Sequence, residues 1–210
     1  MHSPSKIEAL AEPAAVVATG LLHLFFEEAL HAKGPFILLA GLCWGTYLVL
    51  AVRKDRRLPL EWGFGRSGFR PTARWAGWIL AGGAAFLALA GIAGGTLSWN
   101  PHILPVLLLY PAWGLLQQFL LQALLARNLD RLAGSRFTAV ALASLLFAGV
   151  HLPDLFLAGA TLVLALLFVP IYLRYRNLYP LGVVHGILGA LAYFWVLGRD
   201  PWLELLASLH

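Results

Sequence analysis

Two imidazoles stand inside apolar runs. His151 closes Phe147-Ala148-Gly149-Val150-His151, and His185 opens His185-Gly186-Ile187-Leu188-Gly189. A third polar group, Gln117, Gln118 and Gln122, interrupts another apolar run. A neutral imidazole accepts a proton near physiological pH, whereas a carboxamide donates and accepts hydrogen bonds without titrating. The histidines therefore bring acid/base capacity and the glutamines only hydrogen bonding. Such side chains are costly in an apolar interior unless they face a cavity or one another. Their types predict one shared interior site.

The elements that must position them are membrane helices. Of the 210 residues, 60% are hydrophobic and 12% are charged, far from an average soluble domain. About 20 apolar residues span a bilayer, and on that scale seven segments stand out: 13–31, 35–52, 75–97, 104–126, 137–151, 155–173 and 178–197. The fold expected is an all-α polytopic integral membrane bundle, with residues 1–12 as an N-terminal tail and 13–210 as a single domain. Only Leu152-Pro153-Asp154 separates the fifth and sixth segments, which fits a tight hairpin or a re-entrant pair. A count of six to eight stays open. At about 1.5 Å per residue, Gln118 stands roughly 14 Å above Arg127, His185 roughly 14 Å above Arg176, and His151 roughly 22 Å above Arg136. All three depths fall in the middle of a ~30 Å core.

Basic residues fall on one face. Arg53, Lys54, Arg56, Arg57, Arg66, Arg70 and Arg74 share one loop, Arg127, Arg131 and Arg136 the next, and Arg174 and Arg176 a third, with Lys6 at the start; Lys33 and Arg199 lie opposite. Alternation across seven spans reproduces this split, so the N-terminus and the basic loops are expected to be cytoplasmic in a bacterial-type inner or plasma membrane. The net charge of +5 is then a topology signal toward the lipid bilayer, and nucleic acid is excluded as a partner. The first apolar stretch holds His23, Glu27 and Glu28 and lacks a small-residue cleavage site, so it is expected to stay as a helix. Glu61-Trp62-Gly63-Phe64-Gly65 in the 53–74 loop is expected to form an interfacial anchor. Cys43, the single cysteine, excludes an internal disulfide and a cysteine zinc cluster and is read as packing. Gly41 with Gly45, Gly91 with Gly95, and Gly182 with Gly186 each match the small-xxx-small pattern of close helix contact.

Order and spacing of the three polar groups resemble the CPBP family, the CAAX-protease and bacteriocin-processing (Abi) membrane proteins that include the type II CAAX prenyl endopeptidases. Members carry Glu-Glu-x-x-x-Arg on one helix, Phe-x-x-x-His on a following one and His-x-x-x-Asn or a variant on a later one. Here Phe147 to His151 is intact, His185 is followed by Gly189 in place of Asn, and Gln117, Gln118 and Gln122 replace Glu, Glu and Arg. The resemblance covers about 104–197. It implies intramembrane hydrolysis of peptides, with a membrane peptide or lipidated protein as substrate. It also implies catalytic positions at Gln117, Gln118, His151 and His185, and substrate contacts at Gln122, Phe147 and Gly189. In the family a glutamate assisted by histidine activates water. A carboxamide cannot accept that proton near neutral pH.

His151 or His185 is left as the alternative base. Zinc is the cofactor the resemblance suggests, with His151 and His185 as its weak candidate ligands. A catalytic zinc takes three protein ligands, so none is expected to be held. Two functional classes follow: a hydrolase with altered chemistry, and a non-catalytic member that binds membrane peptides or lipidated proteins. A small-molecule or lipid transporter is the third. A competing constellation, His23, Glu27 and His31 at i, i+4 and i+8 beside Glu28, puts two imidazoles and a carboxylate on one helical face for a metal or for the core. Ser144 and His151, seven apart, lack any nucleophile-elbow signature, so packing is expected for Ser144. Asp154 is expected to cap the following helix. Oligomeric state has no signature in the chain.

Overall fold

The computed structural model describes residues 6–207. Residues 1–5 of the expected N-terminal tail lie outside them. The chain is all-α, in the order α1 (Lys6–Glu28), α2 (Lys33–Lys54), α3 (Leu58–Trp62), α4 (Phe69–Gly94), α5 (Ile103–Gln118), a π-helical stretch Phe119–Ala126, α6 (Arg127–Leu132), α7 (Arg136–Gly149), α8 (Leu155–Tyr175), α9 (Tyr179–Leu191), a second π-helical stretch Ala192–Val196, and α10 (Pro201–Ala207). Six helices are long and apolar enough to cross a membrane, and they include the continuous 30-residue run Ile103–Leu132. The protein is an integral membrane helix bundle. Side chains such as Leu42, Leu108 and Leu155 are at least 70% exposed, a pattern that water would penalise and lipid does not.

Seven expected segments become six long spans and one short helix. α7 has 14 residues, about 21 Å of rise, which falls short of a ~30 Å hydrocarbon core. It stops because Pro153 cannot continue it, and Asp154 restarts the chain by accepting a hydrogen bond from the Leu157 amide at 3.0 Å as the cap of α8. α1 reaches back to Lys6, so residues 6–12 of the expected tail are helical.

The 53–74 segment also departs from expectation. Trp62 is not an interfacial anchor: it is fully buried, edge-on to Phe119 at 5.2 Å between ring centroids. Tyr172 Oη donates to the Trp62 carbonyl at 3.0 Å, the Leu178 amide to the Gly63 carbonyl at 3.1 Å, and Asn177 Nδ2 to the Gly65 and Ser67 carbonyls at 2.8 and 2.9 Å. The turn between α8 and α9 thus holds the loop by its backbone. Gly63 and Gly68 make this approach feasible, since both have positive φ and a Cβ on either would strike the backbone of Arg176 or Tyr175. Cys43 is exposed on α2 rather than packed inside.

α5 and α9 pack most closely, and glycine is the reason. A Cβ on Gly114 would collide with Gly182 and Gly186, and one on Gly186 with the Tyr110 and Pro111 backbone. Lipid tails are as apolar as leucine, so close backbone approach and dispersion drive such contacts. The other glycine pairs divide: Gly91 lies against Trp195, whereas Gly41, Gly45 and Gly95 meet nothing within 4 Å. Gly186→Ala should therefore destabilise the protein by about 1–3 kcal/mol through overpacking, while Gly41→Ala stays within about 0.5 kcal/mol. Thermal unfolding of the detergent-solubilised variants checks both.

Candidate functional site

Gln117 and Gln118 end α5, and Gln122 sits one turn on in the π-helical stretch, where the Arg127 amide bonds back to the Gln122 carbonyl in the i→i−5 pattern. Short π-helical insertions recur at functional sites. Gln118, Gln122 and His185 are buried. Their side chains form one chain of hydrogen bonds. Gln122 Nε2 donates to Gln118 Oε1 at 2.9 Å, which leaves the Gln118 amide nitrogen as the group facing His185 Nδ1 at 3.4 Å. His185 Nε2 lies 2.9 Å from Gln117 Oε1.

Direction follows from the ends. An amide N–H₂ can only donate, so His185 Nδ1 accepts; a carbonyl oxygen can only accept, so His185 Nε2–H donates. His185 is therefore held as the Nε2–H tautomer, its one lone pair turned to Gln118. A second proton on Nδ1 would meet an N–H₂ group. His151 is oriented the other way: its Nδ1–H donates to the Phe147 carbonyl at 2.8 Å, which makes Nε2 the basic nitrogen of the neutral ring. The Phe147 ring joins the two, 5.0 Å from the His151 ring and 5.6 Å from the His185 ring.

The structure thus gathers Gln117, Gln118, Gln122, Phe147, His151 and His185 from α5 and its π-helical continuation, from α7 and the turn after it, and from α9. Gly189, one turn beyond His185, faces the Tyr110 ring at 3.7 Å from a virtual Cβ. Tyr110 was not singled out in the sequence. Its signal is the i, i+7 spacing to Gln117, which repeats on one helical face, and its ring also meets Tyr193 edge-on at 6.3 Å. Two buried atoms near these elements have no partner, Gln122 Oε1 and Ser144 Oγ. Ser144 is wholly buried in α7, as packing requires.

The constellation in the first helix does not hold together. His23 and Glu27 pair at 3.0 Å, but α1 ends at Glu28 and His31 sits beyond it at φ 49°. Helical periodicity stops before His31, so the three do not share a face. The α1 carboxylate that does reach the bundle is Glu12: it accepts from Tyr47 Oη and from Asn128 Nδ2. Higher on the same helix, Gly20 packs onto Val150, beside His151. Among the described residues, no three His, Cys, Asp or Glu side chains gather as a metal-holding group.

Residues 98–191 match the family model described as type II CAAX prenyl endopeptidase Rce1-like, and every residue of the site lies inside that range. The site-bearing core is Rce1-like. The match covers just under half of the chain, and the earlier helices α1 to α4 lie outside it. Neither the curated proteins nor the solved structures give a match. Over those residues the chain is similar to the type II CAAX prenyl endopeptidases, which is consistent with a membrane-embedded member of the CPBP family.

Opposite tautomers make a sharp expectation. Ring ¹⁵N spectra should find His185 protonated at Nε2 and His151 at Nδ1, and Gln118→Leu should abolish the His185 preference while lowering stability by about 1–3 kcal/mol, the cost of stranding two buried polar groups. Identical tautomers for both rings would contradict the chain of bonds described above.

Proposed function

We propose that this Rce1-like protein binds membrane-associated peptide segments, or lipidated proteins, at the Gln117–Gln118–His185 site, and that peptide hydrolysis there is slow or lost. One observation carries the reading: the chain Gln122, Gln118, His185, Gln117 is uncharged and uses the only lone pair of the His185 ring. A general base needs an acceptor for the water proton. Neither glutamine supplies one, and the His185 lone pair already faces an amide donor.

The glutamines also explain the missing arginine. A guanidinium at position 122 would be a buried charge with no carboxylate partner, which costs several kcal/mol. Replacing Glu, Glu and Arg by three carboxamides keeps the space filled and the hydrogen bonds directed without any buried ion. Zinc does not fit this donor set. A catalytic zinc takes three ligands, and the two imidazoles are joined here only by carboxamides, with both His185 nitrogens engaged.

A second reading rests on His151. With its proton held on Nδ1 by the Phe147 carbonyl, Nε2 has the basicity to take a proton from water. On that reading His151 is the base of a slow peptidase.

One assay separates the two. Incubated with lipid-embedded peptides, the natural protein should bind but cleave at or near background. Gln117→Glu, Gln118→Glu and Gln122→Arg introduced together should raise cleavage by about 10²–10⁴, the usual worth of a general base. Efficient cleavage by the natural protein, lost in His151→Ala, would replace the binding reading with the histidine mechanism.

Orientation belongs to the same proposal: the basic ends of α2, α6 and α8 face the cytoplasm of a bacterial-type inner or plasma membrane, as arginine asymmetry favours. Reporter fusions after residues 57 and 134 should therefore read cytoplasmic, and a translocated reporter at either position would reverse the topology.

A further inference from the structure

Away from the glutamine and histidine site, guanidinium groups converge where α3, α6 and the end of α8 meet. Arg127 opens α6 and is only 5% exposed. Its contacts are poor for a buried cation: Nη1 is 3.4 Å from the Glu61 carbonyl and 3.9 Å from a Glu61 carboxylate oxygen, and Nε has no partner. Arg131 follows one turn later on the same helix. Arg176, the left-handed C-cap of α8, lies over the Tyr172 ring at 5.4 Å. Tyr172 itself donates to the Trp62 carbonyl, next along the chain from the Glu61 carbonyl that Arg127 meets. Arg131 and Arg176 both act electrostatically on Arg127, and all three guanidinium groups act on Tyr172.

Among the described residues, carboxylates do not fully balance these charges. The Glu61 side chain is 54% exposed and stands off. Glu12 acts on Arg127 only through its field, since its two oxygens are bonded to Tyr47 and Asn128. Asp130 faces Arg136 at 3.6 Å. A buried, incompletely bonded guanidinium is costly, and several guanidinia with unused N–H groups suit a tetrahedral anion with several acceptor oxygens. Depth identifies the anion's setting: Arg127 and Arg176 lie at the ends of two spans, where headgroups lie.

We propose that Arg127, Arg131 and Arg176 form a binding site for the phosphate of an anionic phospholipid. The lipid phosphate bonds to Arg131 and Arg176, supplies counter-charge to the buried Arg127 and ties together α6 and the α8–α9 turn. This site is independent of whether the glutamine and histidine site cleaves or only binds peptides.

The test uses the full chain in mild detergent, titrated with phosphatidylglycerol, with phosphatidylcholine and with inorganic phosphate alone, and followed by native mass spectrometry and thermal unfolding. Phosphatidylglycerol should be retained and should raise the melting temperature where phosphatidylcholine does not. Arg131→Gln with Arg176→Gln should weaken phosphatidylglycerol retention by about tenfold or more. Arg53→Gln with Arg56→Gln, which removes the same charge elsewhere on the basic face, should leave it unchanged. Arg127 is left intact because its loss threatens folding. Equal retention of the two lipids, or equal weakening by the two double variants, would overturn the proposal. Stabilisation by inorganic phosphate matching that of the lipid would overturn the lipid as ligand and assign the site to free phosphate.

Discussion

The contact of α5 with α9 is the constraint from which the site follows. No hydrophobic effect pulls helices together inside lipid, so these two meet because Gly114, Gly182 and Gly186 let backbone touch backbone. At ordinary helix separations of 8–10 Å, His185 could not reach both Gln117 and Gln118. Because the backbones are in contact, a single imidazole spans two consecutive side chains of the neighbouring helix. Packing and polarity depend on each other here: the hydrogen bonds offset the burial of four polar groups, and the glycines make the bonds geometrically available.

The neutrality of that network distinguishes this chain from the charged arrangement of the CPBP family that its core resembles. A Glu-Glu-x-x-x-Arg constellation places carboxylates and a guanidinium at the same three positions, with large desolvation costs and large electrostatic gains nearly cancelling. Three carboxamides give up both. What they retain is direction, because each has one donor and one acceptor end and, with the amides oriented as they are here, the chain runs from Gln122 through Gln118 and His185 to Gln117. That direction sets the proton on His185 and, with the Phe147 carbonyl, leaves His151 as the ring whose basic nitrogen is the outer one. Charge is concentrated instead at the membrane surface, on Arg127, Arg131 and Arg176, where headgroups and water can answer it.

Much of the bundle was legible from composition and spacing. Runs of apolar residues must be helical in lipid, where every backbone group needs an internal partner, so the segments near 35–52, 104–126, 155–173 and 178–197 could be read directly. The interior site was legible for a similar reason: glutamine and histidine in such runs have few tolerable places. Trp62 was not, because an aromatic in a basic loop reads as an interfacial anchor. Its burial depends on Tyr172 and Asn177, more than 100 positions away. Glu12 was missed because its partners, Tyr47 and Asn128, lie 35 and 116 positions away. His31 misled because periodicity was continued past a helix end that the three-dimensional turn decides.

By itself the sequence determined the solvent, the class of fold, the order of the three motifs and the absence of a carboxylate where the family has two, since each is a property of residue type and local spacing. Tertiary structure alone decided that Gly189 faces Tyr110 and that one arginine is buried beside two others with no full counter-charge among the described residues. Hydrogen-bond direction in the site was also a tertiary decision. A carboxamide or an imidazole is symmetric in what it offers until a neighbour takes one end, and those neighbours come from helices more than 60 residues apart in the chain.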